Sequence, residues 1–251
     1  MMKKVIILLL TRKNNPEFEM AENVIRKTWA NNNNPNCEIW YYYGDNPEFE
    51  VEGNVIKCEY PEGFANIGKK TICAFEYLLT TEFDFILRAN SSSYVNVDKL
   101  VEYVQSIPTE KYYGGSPINF YGGGIRDEDN INPPTKCAHG CGFLLSRDLI
   151  ELIIEKKELW GHHMIDDMAL CRFMKDNDIE LTEYPRLEVS IFENGIMYDQ
   201  YDIQIPESSI LDNFFVRTRT RNMDRTNEVK IIEKCYIIEN SSNTDKELIE
   251  S

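Results

Sequence analysis

Apolar runs alternate with amphipathic segments along most of the chain. Residues Val5–Leu10 are continuously apolar, the pattern of a strand buried on both faces. Residues 17–30 then place Phe18, Ala21, Val24, Ile25 and Trp29 at helical spacing. A second strand is predicted over 38–43, closed by the turn residues Gly44-Asp45-Asn46-Pro47, and a third over 55–59. Helical spacing returns over 66–79 with Ile72, Phe75, Leu78 and Leu79, and 83–89 reads as a strand. Asn96 or Asp98 is placed to cap a helix carrying Leu100, Val101, Val104 and Ile107, which Pro108 ends. Short strands are predicted over 112–115 and 142–145, with a long Gly/Asn/Pro-rich loop over 117–134 between them. Ser146 is placed to cap a helix over 148–157; another helix is expected over 166–175 and a late strand over 187–191.

This alternation implies an α/β fold: a mostly parallel twisted sheet flanked by helices. Ligands of such sheets sit at the carboxyl ends of the strands, so the loops after Leu10, Tyr43 and Ala89 are the places to search.

The length of 251 residues suffices for one domain with a sizeable core. A formal net charge of −15 argues against a nucleic-acid partner and against docking on an anionic membrane. No apolar stretch approaches the roughly 20 residues that span a bilayer. The first apolar run is short, and Thr11-Arg12-Lys13 stands where a signal peptide would have a small-residue cleavage site. The seven cysteines are odd in number and scattered, several within apolar segments, as reduced core thiols are. These features favour a cytoplasmic protein, and the polar, acidic residues beyond 240 read as a frayed tail.

Four motifs recur in an order that resembles one family. They are Arg26-Lys27-Thr28-Trp29; Asn66-Ile67-Gly68-Lys69-Lys70-Thr71; Phe85-Ile86-Leu87-Arg88-Ala89-Asn90-Ser91-Ser92-Ser93-Tyr94-Val95-Asn96; and Gly140-Cys141-Gly142-Phe143-Leu144-Leu145-Ser146 followed by Asp166-Asp167-Met168. Together they resemble the fringe/beta-1,3-galactosyltransferase family. The resemblance implies a GT-A fold and inverting transfer of a sugar, often from a UDP-sugar, to a hydroxyl of a glycan or glycoprotein. On this reading residues 1–240 form one domain, with a nucleotide-sugar-binding half at 1–115, an acceptor-side half and C-terminal segment at 116–240, and a disordered tail at 241–251. The lack of a leader or anchor suggests a microbial or viral enzyme, in the latter case in host cytoplasm.

Inverting transfer needs a base for the acceptor proton and positive charge or donors on the departing diphosphate. By the resemblance Asp167 is the base and Asp166 its partner; adjacent carboxylates raise each other's pKa. The alternative is an acidic cap at a helix start. The family's three aspartates, which hold Mn²⁺ or Mg²⁺, are replaced here by Asn90-Ser91-Ser92. Hydroxyls and an amide carry no negative charge, so metal affinity should fall steeply, any remnant resting on Ser92.

Three alternatives follow: an enzyme that has moved diphosphate binding onto side chains, a weakly metal-assisted enzyme using Asp98 or another acid, or a lapsed enzyme that only binds nucleotide sugar or glycan. Donor-side residues under the first are Thr11, Arg12, Arg26, Lys69, Lys70, Arg88, Asn90, Ser91 and Ser92, with Arg126 nearby in the sequence. The run Arg217-Thr218-Arg219-Thr220-Arg221 is basic in an acidic chain; it suits a diphosphate or is a solvated strand face. On the acceptor side stand His139, Gly140, Trp160 and His162; Trp160 either stacks on a sugar or anchors its loop to the core. Tyr43 ends its strand within reach of a uracil. Cys137, His139 and Cys141 lack the spacing of a zinc knuckle.

Overall fold

The computed structural model describes residues 2–120, 135–184, 186–188, 190–193, 196–199, 210–219 and 225–249. Strands β1 (Val5–Leu10), β2 (Cys37–Tyr43), β3 (Glu50–Glu52), β4 (Val55–Lys57), β5 (Phe85–Asn90), β7 (Tyr113–Phe120), β8 (Thr135–Ser146) and β9 (Thr182–Glu183) form one sheet, ordered β3-β4-β2-β1-β5-β8-β7-β9. Pairing is parallel through β4, β2, β1 and β5 and between β7 and β9, and antiparallel at β3–β4, β5–β8 and β7–β8. The expected mostly parallel α/β sheet is therefore present, with β8 running antiparallel inside it and β3 antiparallel at its edge.

Two-residue periodicity divides the core. Val5, Ile7 and Leu9 of β1 face one side with Phe85, Leu87 and Ala89 of β5; Ile6, Leu8 and Ile86 face the other. Ile25 of α1 (Pro16–Lys27), the Leu100/Val101/Val104 stripe of α3 (Val97–Ser106) and Ile232 of α6 (Arg225–Ile249) cover the first face. α2 (Ile67–Leu78), α4 (Arg147–Glu155) and α5 (Asp166–Asp176) cover the second with Phe75, Ile150 and Phe173. Asn96 caps α3 through its side chain, accepting from the Lys99 N–H at 2.9 Å. Among the described residues no helix is long and apolar enough to cross a membrane.

Several sequence expectations are corrected. The strands predicted at 112–115 and 142–145 are parts of the longer β7 and β8, which pair along their length; Gly and Pro in β7 coincide with a register shift between Gly115 and Pro117. The extension brings Cys137 of β8 against α5, where it is disulfide-bonded to Cys171 with Cα atoms 5.3 Å apart. The thiols are therefore not all reduced; Cys37, Cys58, Cys73, Cys141 and Cys235 are outside any disulfide. Helix α6 continues through 241–249, where a frayed tail was expected. A second small sheet, β10 (Leu187–Glu188), β13 (Phe215–Arg217) and β6 (Ser93–Val95), is not evident from the hydrophobic pattern. β11 (Ser190–Glu193) and β12 (Ile196–Asp199) form a separate antiparallel pair. Most of the loop expected over 117–134, together with Arg126 and Arg221, lies outside the described residues.

Candidate active site

The strand order turns at β1, whose neighbours β2 and β5 lead to opposite edges of the sheet. Leu10 and Asn90 are in register at the carboxyl ends of β1 and β5, the end of the strands at which ligands of such sheets bind. Beyond Asn90 the chain turns through Ser91 and Ser92 into β6.

Arg88 interrupts an apolar strand, and its position follows from the strand period: it shares a face with Ile86 and meets the helices of the second core. It is 2% exposed. Its Nη2 pairs with Asp166 at 2.7 Å, Nη1 donates to the Gly140 carbonyl at 2.8 Å and Nε donates to the Tyr42 hydroxyl at 3.0 Å. Tyr42 and Thr71 share a 2.9 Å hydrogen bond, and the Thr71 hydroxyl donates to Asp166 at 3.4 Å. Arg88 was expected to bind the donor. Instead each of its nitrogens is engaged inside the protein, and it fastens Asp166 and the Gly140 backbone to β5.

Asp167 is placed differently. It follows Asp166 at the start of α5, is only partly covered, and has no ion-pair partner among the described residues. Its Oδ1 accepts the Met168 N–H at 3.0 Å. Burial, then the Asp166 charge, raise its pKa to about 6, against a smaller opposing effect of Arg88. The acidic pair therefore divides: Asp166 is the locked, buried member and Asp167 the one that can exchange a proton.

Gly140 brings the two halves of the site together. Its carbonyl also accepts from the Asn90 amide at 3.4 Å, and a Cβ at Gly140 would collide with the Asp167 carboxylate. Asn90 and Asp167 thus meet at one residue of β8. Gly140→Ala should swing the Asp167 side chain aside and lower turnover by about 100-fold, with the melting temperature changing little; unchanged turnover in a steady-state assay would show that the Asp167 position is immaterial.

Within the Asn90–Ser92 turn Asn90 and Ser92 bond to each other, while the buried Ser91 hydroxyl has no hydrogen-bond partner among the described residues. Asn90 Oδ1 accepts from the Ser92 hydroxyl at 2.8 Å and the Ser93 hydroxyl at 3.4 Å. Ser91 and Ser92 are buried. The carboxylates that hold a divalent ion in the resembled family have no counterpart here, and among the described residues no three His, Cys, Asp or Glu side chains group as metal ligands. This neutral donor set does not fit Mn²⁺ or Mg²⁺.

The remaining expected residues separate into two groups. Arg12 and Tyr43 line a cleft of about 540 Å³ with Lys13, Glu19, Asn23 and Lys57, beyond the ends of β1 and β2. Asp167 does not line it. Thr11 is buried and donates to Glu22 at 2.8 Å; Arg26 pairs with Glu22 at 2.8 Å and lies over the Tyr41 ring. Lys70 is 1% exposed and paired with Glu62 at 2.5 Å, while the Lys69 ammonium lies 5.9 Å from the Tyr60 ring centre. Trp160 is packed in the second core against Phe173 and is 2% exposed, so it anchors its loop instead of offering a face to a sugar. His162 Nε2 is 3.2 Å from the Lys157 carbonyl. His139 lies on β8 beside Gly140, and Cys137, in its disulfide, is unavailable as a zinc ligand. Tyr42, Thr71 and Glu62 were missed from the sequence; a charged residue within each of two apolar segments, Arg88 and Lys70, was the available signal that buried partners were needed.

A sequence-family model described as Galactosyltransferase matches residues 20–185. No curated protein matches the chain significantly. Among solved structures, a glycosyltransferase involved in the glycosylation of the major capsid of PBCV-1 is similar at 13% identity and a TM-score of 0.49, covering 92% of this chain and 99% of its own. A 4-diphosphocytidyl-2C-methyl-D-erythritol synthase from Anaerococcus prevotii is similar at 10% identity and a TM-score of 0.42, covering 72% of this chain and 86% of its own. Neither likeness is close enough to bear on chemistry.

Proposed function

The chain belongs to the galactosyltransferase family and is a glycosyltransferase; from that premise we propose that it is an inverting enzyme that moves a sugar from a nucleotide-sugar donor, a UDP-sugar, to a glycan or glycoprotein hydroxyl with Asp167 as general base. The observation that carries the proposal is the division of the acidic pair. Asp166 is held by Arg88 at 2.7 Å, and Asp167, beside it, is partly open and has a pKa of about 6. A carboxylate so placed is ionised at neutral pH yet basic enough to accept a proton as the acceptor oxygen attacks the anomeric carbon.

The donor lies across the strand ends. The nucleoside fits the cleft lined by Arg12 and Tyr43, and the reacting sugar lies near Gly140 and Asp167. From β2 to β8 is three strand spacings, roughly 14 Å at about 4.8 Å each, a distance that an extended nucleotide sugar spans.

The test follows release of nucleoside diphosphate from a panel of UDP-sugars with glycan acceptors, as a function of pH. Asp167 must be deprotonated to act, so kcat/KM should rise through about pH 6 and level off above it. Tight UDP-sugar binding with no turnover for any donor–acceptor pair would instead identify a binding protein on this fold.

A further inference from the structure

The basic run that stood out in the sequence is brought to the Asn90–Ser92 turn by the second sheet. Arg217 is in register with Ser93, and the Thr218 N–H donates to the Ser92 carbonyl at 2.9 Å. Arg217 Nη1 lies 3.4 Å from His139 Nε2, and Arg186 Nη1 lies 2.7 Å from the Cys141 sulfur, two residues further along β8. Arg217, Arg186 and Arg219 all lie close enough to His139 to depress its pKa, which burial and these three cations push down to about 3. Each of the four side chains is only partly covered. Burial and Arg217 likewise lower the pKa of Arg219, opposed by Glu228, which is paired with Arg225 at 2.7 Å.

The imidazole fixes what this corner attracts. His139 Nδ1 accepts the Cys141 N–H at 3.1 Å, so the single proton of the neutral ring resides on Nε2. Nε2–H and the Arg217 guanidinium then present donor to donor across 3.4 Å. An anionic oxygen at this corner would accept from both donors and lie among the three guanidinium groups.

Resting on the transferase reading, we propose that Arg186, Arg217, Arg219 and the Nε2–H of His139 form a cradle for the donor diphosphate, in place of a divalent cation. The bond between the anomeric carbon and the diphosphate oxygen breaks with its electron pair passing to that oxygen. The acceptor oxygen bonds to the anomeric carbon, and its proton passes to Asp167. The cradle receives the negative charge that develops on the leaving diphosphate. Planar guanidinium groups suit this task because each makes paired hydrogen bonds to phosphate oxygens.

Calorimetric titration of the full chain with UDP and with inorganic pyrophosphate, in excess chelator, tests the assignment. Both should bind in chelator, with a Kd that Mn²⁺ does not tighten. Arg217→Gln and Arg219→Gln should each weaken UDP by roughly 10- to 100-fold and leave uridine binding unchanged. Thermal melts confirm folding, and Arg219→Gln keeps the test open should Arg217→Gln fail to fold. A strict Mn²⁺ requirement for UDP binding, or Kd values unmoved in both folded variants, would overturn the cradle. Turnover that chelator abolishes removes the cradle while the transferase reading stands. Chelator-resistant UDP binding that needs the arginines, with no turnover of any donor, keeps the cradle and removes the transferase reading.

Discussion

Asp167→Asn is expected to lower transfer by about 100- to 10,000-fold, the usual contribution of a positioned general base. Asparagine keeps the shape of the side chain and its acceptor for the Met168 N–H, so KM for the donor should change little. The same variant should be more stable than the parent above pH 6. The folded-state pKa of Asp167 is raised from 3.8 to about 6, so the folded protein holds its proton more tightly than the unfolded chain does. That contribution is fully present below about pH 3.8 and is lost as pH rises through 6. At pH 8 the ionised carboxylate is therefore a liability, which asparagine removes. The gain should be on the order of 1 to 2 kcal/mol, below the full linkage value because the group is partly open to water. Denaturant melts at pH 4 and pH 8 measure it. Near-parent turnover by Asp167→Asn would end its assignment as base; equal stability differences at the two pH values would show that its pKa is not raised.

Arg88→Met should have the largest effect on stability. Methionine approximates the volume but removes the charge that faces Asp166 at 2.7 Å in a site where both side chains are almost wholly buried. Breaking such a pair from one side leaves a buried carboxylate uncompensated, a loss of about 3–5 kcal/mol. The Gly140 carbonyl and the Tyr42 hydroxyl lose a donor at the same time. Arg88→Met combined with Asp166→Asn should recover much of the stability, since the stranded charge is then gone. The comparison is made by thermal melting of the parent, the single variant and the double variant. A single variant melting within a degree or two of the parent would mean that the pair does not hold α5 to the sheet.

The two variants separate catalytic work from positioning. Asp166 and Asp167 are adjacent in sequence and identical in chemistry, so the motif alone assigns them only by family resemblance. The helix turns about 100° between them. That rotation directs Asp166 inward to Arg88 and Thr71 and leaves Asp167 beside Gly140 and partly open.

Much of the frame was legible in the chain itself. Hydrophobic period fixed β1, β2, β5 and the faces of α1, α2 and α3, because local periodicity and burial express the same constraint. The four ordered motifs identified the family. The composition also marked the Arg217–Arg221 run as basic in an acidic chain, and the motif of β5 named Arg88 as a donor-side residue. What each arginine does was decided only by tertiary structure. Strand period turns Arg88 into the core, where Asp166, Tyr42 and Gly140 use all of its nitrogens; β13 pairs with β6 across more than 100 residues of chain and carries Arg217 to His139. A side chain's surroundings depend on which distant segments the sheet aligns beside it, and no local pattern encodes that alignment.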